Sequence, residues 1–473
     1  MKQYLKHYIN GAWVESTGQN TIEVLNPATE KTIGLISAGT EEDLNKAVAA
    51  ARRAFPSFSE TTREERIALL ERIVTAYEQR KADIIDAVTE ELGCPRSRSE
   101  QVHYNMGLVH FKQAAESLKD FTFEEKRENS TIVKDSIGVS GLITPWNFPT
   151  NQTSIKIAGA LAAGSPMVLK PASMTPYTAM ILAEIFDTAG VPKGVFNLVN
   201  GSGKTIGNAI SSHPDIDLVS FTGSTAVGEQ IMKRAATTIK KITLELGGKS
   251  PLIVLDDADV QEASDIAVSN IMNNTGQVCT AATRVLVPRQ MKASFEKELL
   301  NALPNYPVGD PQNDVFTGPL IAEKIWDRVQ YYIQKGIDEG ANLLTGGLGK
   351  PDGLETGFYV KPTIFTDVQN DMTIAQEEIF GPVMSVIYYD SLEEAIKIAN
   401  DTTYGLAGYV VGKDEATLSH VARSIRAGRI HVNRGKSDYS APFGGFKHSG
   451  IGREWGDYGI EEYLEPKTIV GLE

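Results

Sequence analysis

Cysteine is scarce in this chain, with only Cys94 and Cys279 among 473 residues. Two cysteines do not form the framework of a disulfide-stapled secreted protein. Cys94 lies between Gly93 and Pro95, just past a predicted helix end, and is interpreted as a bystander. Cys279 lies in NTGQVCTAATR, where small and polar residues surround it and no histidine is near in sequence. This stretch alone fits either a nucleophile or an inert buried thiol.

Positive charge and long apolar runs are also lacking. A formal net charge of −14 argues against nucleic acid and against anionic membrane surfaces as partners. The most apolar stretch, residues 155–169, contains glycine, serine and proline and is shorter than the roughly 20 residues of a membrane helix. The first ten residues, MKQYLKHYIN, carry no apolar signal core. We expect a cytoplasmic protein with neither membrane nor nucleic acid as partner.

A metal-ligand cluster is missing from the pattern as well. The chain has seven histidines, and the nearest pair, His103 and His110, lacks the spacing of a zinc motif. The sequence therefore predicts no metal site.

What is present is a repeated alternation of strands and helices. Thr40 and Asp43 predict a capping box at the start of one helix, and a second helical region, residues 63–92, stops at Gly93. From about residue 138, apolar strands such as PMVLKPA and DLVSFTGS alternate with helical segments. Another α/β block ends near RIHVN, and the last forty residues are interpreted as loops plus a final strand. This pattern predicts an α/β fold with a doubly wound parallel sheet.

Several chemically capable residues follow predicted strands. Glu245, Asn147 and Lys170 fall at strand ends, where ligands of parallel sheets bind. The turn in FTGSTAVG follows a strand and opens a helix, a suitable place for a phosphate. NGSGKT is not a Walker loop, because Leu198 occupies the position of the first glycine.

Seven motifs occur in a fixed order over essentially the whole chain: PWNFP, VLKP, FTGST, ELGGKSP, GQVC, EEIFGP and PFGGFKHSGIGRE. In this order they resemble the aldehyde dehydrogenases. The resemblance implies that Cys279 is the nucleophile, that Glu245 is the general base and that Asn147 contributes to an oxyanion hole. It also implies that an aldehyde is oxidised through a thiohemiacetal and a thioester on the cysteine, and that water then releases the acid.

The resemblance further implies NAD or NADP as cofactor. Lys170 and Glu378 would hold ribose hydroxyls, Phe380 would pack near the nicotinamide, and the turn Gly223 to Gly228 would approach the pyrophosphate. The full set of predicted cofactor contacts is Thr144, Pro145, Trp146, Lys170, Ser173, Gly223, Ser224, Thr225, Gly228, Leu246, Glu378 and Phe380. The predicted substrate contacts are Phe148, Gln152 and Phe443.

Two departures from the family pattern bear on specificity. Many NAD-preferring members carry glutamate three residues after the cofactor lysine, where this chain has Ser173, so we expect NADP to be tolerated. The predicted aldehyde tunnel is rich in polar residues, which favours a polar, short-chain and possibly anionic aldehyde. Its residues are Asn151, Gln152, Ile155, Arg434, Lys436, Asp438 and Tyr439.

The family pattern also predicts the organisation of the chain. Residues 1–117 and 137–246 would form the cofactor-binding domain and 247–442 the catalytic domain. Residues 118–136 and 443–473 would form an oligomerisation arm and tail of a homodimer or homotetramer. Three alternatives stay open: a coenzyme A-acylating dehydrogenase, which typically lacks the glutamate found here at 245; a thiol-dependent esterase; and a non-catalytic binding protein on the same fold.

Overall fold

The computed structural model describes residues 2–313 and 315–471. In chain order the strands are β1 (Lys2–Tyr4), β2 (Lys6–Ile9), β3 (Ala12–Glu15), β4 (Thr21–Asn26), β5 (Lys31–Ser37), β6 (Glu124–Lys126), β7 (Ser130–Ser136), β8 (Ser140–Ile143), β9 (Met167–Lys170), β10 (Phe196–Leu198), β11 (Leu218–Thr222), β12 (Lys241–Glu245), β13 (Pro251–Val254), β14 (Arg284–Pro288), β15 (Asn342–Thr345), β16 (Thr363–Thr366), β17 (Val383–Tyr389), β18 (Ala407–Val411), β19 (Arg429–Val432), β20 (Gly450–Ile451) and β21 (Leu464–Val470).

The α-helices are α1 (Glu41–Ser59), α2 (Arg63–Gln79), α3 (Lys81–Leu92), α4 (Arg96–Arg98), α5 (Asn105–Asp120), α6 (Pro149–Ala162), α7 (Tyr177–Thr188), α8 (Asn208–Ser212), α9 (Thr225–Ala235), α10 (Val260–Met272), α11 (Lys292–Ala302), α12 (Glu323–Asp338), α13 (Thr373–Gln376), α14 (Leu392–Asn400), α15 (Glu415–Ser424) and α16 (Gly456–Glu461).

The larger sheet has eight strands in the order β20-β12-β11-β8-β9-β10-β2-β3. Its five central strands, from β12 to β10, run parallel. Both faces are buried: Val168 packs into one hydrophobic cluster, while its neighbours Met167 and Leu169 pack into another on the opposite side. A parallel sheet with helices on both faces requires such uninterrupted apolar strands. The predicted α/β class is confirmed.

A second sheet has seven strands in the order β15-β16-β17-β14-β13-β18-β19, all parallel except β15. It too is covered on both faces, since Leu252 and Ile253 belong to different clusters. Two small sheets complete the fold, β1-β5-β4 near the amino end and the antiparallel β21-β7-β6.

The predicted helix boundaries are largely confirmed. Thr40 accepts from the Asp43 N–H, and the Asp43 side chain accepts from the Thr40 N–H, which completes the capping box. The region 63–92 is two helices rather than one, because Arg80 leaves helical geometry with φ −103° and ψ 19°. The second of them ends at Gly93, whose left-handed φ of 74° suits glycine.

The carboxyl-terminal segment is more ordered than the expectation of loops plus one strand. The strand β20 pairs antiparallel with β12, so residues 450–451 extend the larger sheet. Only glycine fits at 450, because a Cβ there would overlap the carbonyl of Leu244. Helix α16 then precedes the final strand β21, which the sequence did predict.

Among the described residues, the helices are all too short or too polar to cross a lipid bilayer. The same part of the chain contains no group of histidine, cysteine and acidic side chains arranged to hold a metal ion.

Candidate active site

The loop that presents Cys279 follows α10 through a tight turn. Asn274, Thr275 and Gly276 all adopt left-handed backbone conformations, with φ of 48°, 58° and 69°. Two consecutive non-glycine residues in this region store strain that the surroundings must hold. At 276 a Cβ would overlap the backbone of Gly381, so glycine is required there. The turn connects α10 to the segment that carries Cys279, which leads into β14, a central strand of the second sheet.

Hydrogen bonds from side chains next to Cys279 hold this turn in place. The Thr275 Oγ1 donates to the carbonyl of Gly318 at 3.0 Å. The Gln277 amide donates to the Asn274 carbonyl at 3.0 Å and accepts from the Ile321 N–H at 3.0 Å. These positioning residues were not singled out from the sequence, although polar side chains flanking a lone cysteine were the available signal.

Cys279 is partly exposed and lies against an apolar wall. It packs on a cluster formed by Ile155, Leu406, Phe443 and Trp455. Burial, together with the nearby carboxylates Glu378 and Glu245, raises the pKa of the thiol to about 12. Burial therefore favours the neutral thiol over the thiolate at physiological pH.

This thiol pKa predicts the pH dependence of alkylation. Because only the thiolate reacts, the rate constant for iodoacetamide at Cys279 should rise about tenfold per pH unit from 7 to 10, with no plateau. Quantifying the modified Cys279 peptide by mass spectrometry measures this rate. The buried Cys94 is the internal control and should stay unmodified. A plateau near pH 8.5, where an ordinary thiol titrates, would contradict the assigned environment.

Asn147 lies beside the nucleophile loop. It follows β8 and is 5% exposed. Its Nδ2 donates to the carbonyl of Gln277 at 3.0 Å, two residues before the cysteine, while Asn274 donates to the Asn147 carbonyl at 2.8 Å. One amide N–H of Asn147 therefore anchors the side chain, and the second remains for a ligand.

Glu245 ends β12 and is 4% exposed. One of its carboxylate oxygens, Oε2, has no hydrogen-bond partner among the described residues. Burial and the neighbouring carboxylate of Glu454 raise its pKa well above the ordinary range, while Lys156 and Arg453 oppose this shift. Three residues further on, a Cβ at Gly248 would overlap the Cys279 carbonyl, so the strand end and the nucleophile loop are in contact.

A buried ion pair lies behind Glu245. The Lys156 ammonium, on α6, contacts Glu454 at 2.6 Å and donates to the Ser220 Oγ at 2.9 Å. The Glu454 Oε2 has no partner among the described residues. Sequence reasoning missed both residues, although a lone lysine in the otherwise apolar SIKIAGALAAG was a usable signal. The pair is placed to tune the charge of Glu245.

Several of the predicted cofactor residues lie at the carboxyl ends of strands in the larger sheet. Lys170 ends β9; its buried ammonium donates to the Pro171 carbonyl at 2.8 Å, and burial lowers its pKa to about 8. The neighbouring Thr144 N–H donates to the Lys170 carbonyl at 3.2 Å, which also brings Pro145 to this edge. The Ser173 Oγ donates to the Gly201 carbonyl at 3.0 Å, so that it adjoins the NGSGKT turn.

The turn after β11 leads directly into α9. Ser224 is the N-cap of this helix but makes no side-chain capping bond, so the first N–H groups are free to meet an anion. A Cβ at Gly228 would lie 2.7 Å from Leu246, whose own N–H donates to the Ser449 carbonyl. Gly223 is fixed by donation to the Glu245 carbonyl at 3.0 Å, and the Thr225 Oγ1 donates to the His448 carbonyl at 3.3 Å.

Glu378 and Phe380 approach from the second sheet. The Glu378 carboxylate accepts from the Gly248 N–H at 3.0 Å, and burial raises its pKa. The Phe380 ring meets Trp146 edge-on, with centroids 5.4 Å apart. The groups needed for a dinucleotide are thus present: an ammonium, a carboxylate, a free helix N-terminus and an aromatic pair, and these residues fit that cofactor class.

Of the three predicted substrate residues, Phe443 belongs to the cluster on which Cys279 packs. Phe443 stacks on Trp455 with centroids 4.9 Å apart, and Phe148 stacks on His103 at the same separation. Gln152 is buried, and its Oε1 has no partner among the described residues.

The structure places only some of the predicted tunnel residues next to the Cys279 thiol. Of the seven tunnel residues, Ile155 and Tyr439 pack in the cluster around Cys279. Asn151 is bonded to His110 at 2.6 Å. The Arg434 guanidinium is held by Asp265 at 2.6 Å and by Glu262 at 3.4 Å. The predicted tunnel residues that pack near the sulfur are therefore apolar or aromatic, and the charged groups near it are the carboxylates of Glu245 and Glu378.

Comparison with known proteins agrees with this geometry. The sequence model that describes the aldehyde dehydrogenase family matches residues 13–469 of this chain. A putative aldehyde dehydrogenase of Staphylococcus aureus strain MSSA476 is 59% identical over 472 residues, covering 100% of this chain and 99% of the relative.

Two solved structures are similar along their whole length. A mutant of aldehyde dehydrogenase C from Pseudomonas syringae, in complex with NAD+ and octanal, has 44% identity and a TM-score of 0.98, covering 98% of this chain and 96% of that one. A Mycobacterium tuberculosis aldehyde dehydrogenase in complex with NAD+ has 42% identity and a TM-score of 0.97, covering 100% and 99%.

Proposed function

Because this chain belongs to the aldehyde dehydrogenase family, we propose that it oxidises an aldehyde to the carboxylic acid through a thioester on Cys279. One observation carries the proposal. Three separate elements bring together the thiol of Cys279, the carboxamide of Asn147 and the buried carboxylate of Glu245. The esterase and binding-protein alternatives gain no specific support from this geometry.

The first step is addition of the Cys279 sulfur to the aldehyde carbon. The thiol must lose its proton for this step. The carboxylates that act electrostatically on the sulfur are those of Glu378 and Glu245. The tetrahedral oxyanion would accept hydrogen bonds from the Asn147 side chain and from the Cys279 backbone N–H. Removing one such donor typically costs about 10²–10³-fold in rate. When bound, the nicotinamide cofactor supplies the acceptor for the hydride.

The second step is hydrolysis of the thioester. Glu245 is the general base for water, and burial, which raises its pKa, makes its carboxylate a stronger base. The neighbouring ion pair of Lys156 and Glu454 acts on the pKa of Glu245 in both directions, since Glu454 raises it and Lys156 lowers it. The presence of Glu245 also favours water over coenzyme A as acyl acceptor.

NAD or NADP is the cofactor that we propose for this edge of the larger sheet. Lys170 and Glu378 would hold ribose hydroxyls, and the N-terminus of α9 would face the pyrophosphate. The NAD+ complexes of the two structural relatives support this assignment.

A polar or anionic short-chain aldehyde stays the proposed substrate. The apolar wall around Cys279 would contact the carbons next to the carbonyl, and any polar group of the substrate would lie beyond them. A cytoplasmic location and the domain boundaries given above stay predictions. We also propose a homodimer or homotetramer assembled through β6, β7 and β21, since an antiparallel arm with free edges gains from a partner subunit.

Ser173 predicts relaxed cofactor choice. With no carboxylate there to repel a 2′-phosphate, kcat/KM for NADP should lie within about tenfold of that for NAD. The variant Ser173→Glu should lose about 10²-fold with NADP, because like charges facing each other cost several kcal/mol. Ser173→Gln is the matched neutral control and should lose far less. A several-hundredfold NAD preference in the wild type would contradict the prediction.

The proposed function is tested by formation of NADH and NADPH at 340 nm with a panel of short aldehydes. The wild-type protein should reduce cofactor with at least one aldehyde and release the free acid without coenzyme A. Reduction that depends strictly on coenzyme A would overturn the hydrolytic mechanism. Folded protein that reduces neither cofactor with any aldehyde would overturn the activity itself.

A further inference from the structure

Arg429 is a cation next to the apolar cluster on which Cys279 packs. It is the first residue of β19, and its N–H donates to the Leu406 carbonyl at 3.2 Å. The Leu406 side chain belongs to the apolar cluster on which Cys279 packs. The backbone of Arg429 is therefore hydrogen-bonded to a residue of the cluster that contacts Cys279.

The guanidinium lies over the aromatic rings of the same pocket. It is 4.6 Å from the ring centroid of Trp455 and 6.0 Å from that of Phe443. These two rings stack on each other and belong to the apolar cluster on which Cys279 packs, so the thiol and the cation adjoin the same aromatic cluster. Contact with aromatic faces strips water from a guanidinium and strengthens its attraction to an anion.

The Arg429 guanidinium has no hydrogen-bond or salt-bridge partner among the described residues. Neither a carboxylate within salt-bridge distance nor a side-chain or carbonyl hydrogen-bond acceptor engages it. By contrast, Arg434, five residues on, is paired with two carboxylates, and the buried Arg284 donates to four acceptors. The planar donors of Arg429 therefore remain for a ligand.

The groups that face Arg429 do not neutralise it. They are the phenols of Tyr409 and Tyr439 and the carboxylate of Asp438. The Tyr409 hydroxyl donates to the Thr280 carbonyl at 3.0 Å. Asp438 is committed to its own loop, since it accepts from the backbone N–H of Ser440 at 2.9 Å and from its hydroxyl at 2.6 Å.

We propose that Arg429 determines substrate specificity by binding a carboxylate at the far end of the aldehyde. The methylene chain would lie on the Phe443 and Trp455 rings, with the aldehyde carbon at Cys279. A guanidinium fits a carboxylate through two parallel hydrogen bonds, which a neutral aldehyde cannot make. This inference rests on the proposed function and names an ω-carboxy aldehyde as the substrate class.

The test compares charged and neutral aldehydes of matched length. In the wild type, kcat/KM for 4-oxobutanoate or 5-oxopentanoate should exceed that for butanal or pentanal at least tenfold. Arg429→Met should lower the values for the charged aldehydes by about 10–100-fold and leave the neutral ones within about threefold. Arg429→Lys should recover part of the loss, because it keeps the charge.

Arg423→Met is the matched control. It removes an exposed guanidinium from α15, where its Nε donates to the Ser419 Oγ at 3.4 Å, and it should leave the ratio of charged to neutral substrate unchanged. An equal loss with both substrate classes in Arg429→Met would show that the residue only supports the Trp455 packing and would overturn the inference. A wild type without preference for the charged aldehyde would overturn it too. In either case turnover of butanal leaves the proposed function standing, whereas no turnover of any aldehyde removes both.

Discussion

Replacing Cys279 by alanine is expected to abolish aldehyde-dependent cofactor reduction. Without the sulfur, the aldehyde carbon cannot form the tetrahedral adduct from which hydride leaves. Loss of a catalytic nucleophile typically lowers kcat by about 10⁴-fold or more. The assay is absorbance at 340 nm with the best aldehyde of the panel, wild type and variant side by side.

Folding and cofactor binding should survive this substitution. The thiol is small and partly exposed, and the loop is held by Thr275 and Gln277 rather than by the cysteine. The unfolding temperature and the NAD dissociation constant should therefore stay close to those of the wild type. Cys94→Ala is the control, because this second cysteine is buried away from the site and its loss should leave kcat unchanged. Substantial residual turnover in Cys279→Ala would mean that another group is the nucleophile.

Replacing Glu245 by glutamine is expected to stop the reaction at the thioester. Glutamine keeps the size of the side chain but cannot take a proton from water. The first turnover should still yield about one NADH per active site, and steady-state turnover should then fall by about 10²–10⁴-fold. Stopped-flow absorbance at 340 nm separates this burst from the slow phase.

Glu461→Gln provides the control for a change of charge. That glutamate is exposed on α16, where it pairs with Lys134, and its replacement should leave both phases as in the wild type. A Glu245→Gln variant that loses the burst together with the steady state would place Glu245 in the acylation step. Unimpaired turnover would exclude it as the base.

The sequence predicted those features that depend on neighbouring residues. The alternation of apolar strands and helices, the cap at Thr40 and the helix end at Gly93 follow from local pattern, and the structure confirms them. The strand ends that carry Glu245 and Lys170 were also placed correctly, since parallel strands bring their carboxyl ends to one edge.

Features that depend on distant parts of the chain were not predictable in this way. Lys156 and Glu454 are 298 positions apart, and each alone resembles an ordinary charged residue. The strained turn at Asn274 and Thr275 is imposed by contacts with residues near 318 and 381 rather than by local preference. The sequence also could not show which arginine lies beside the cluster around Cys279. Arg434 pairs with a carboxylate and Arg429 lies over Trp455, and both contacts depend on distant parts of the chain.

A thioester on Cys279 is tested most directly by mass spectrometry of Glu245→Gln mixed with NAD and aldehyde and quenched in acid. We expect an acyl adduct with the mass of the thioester, located on the Cys279 peptide, cleaved by hydroxylamine and absent when cofactor is omitted. A burst of NADH with unmodified Cys279, or with the acyl group on another residue, would contradict it.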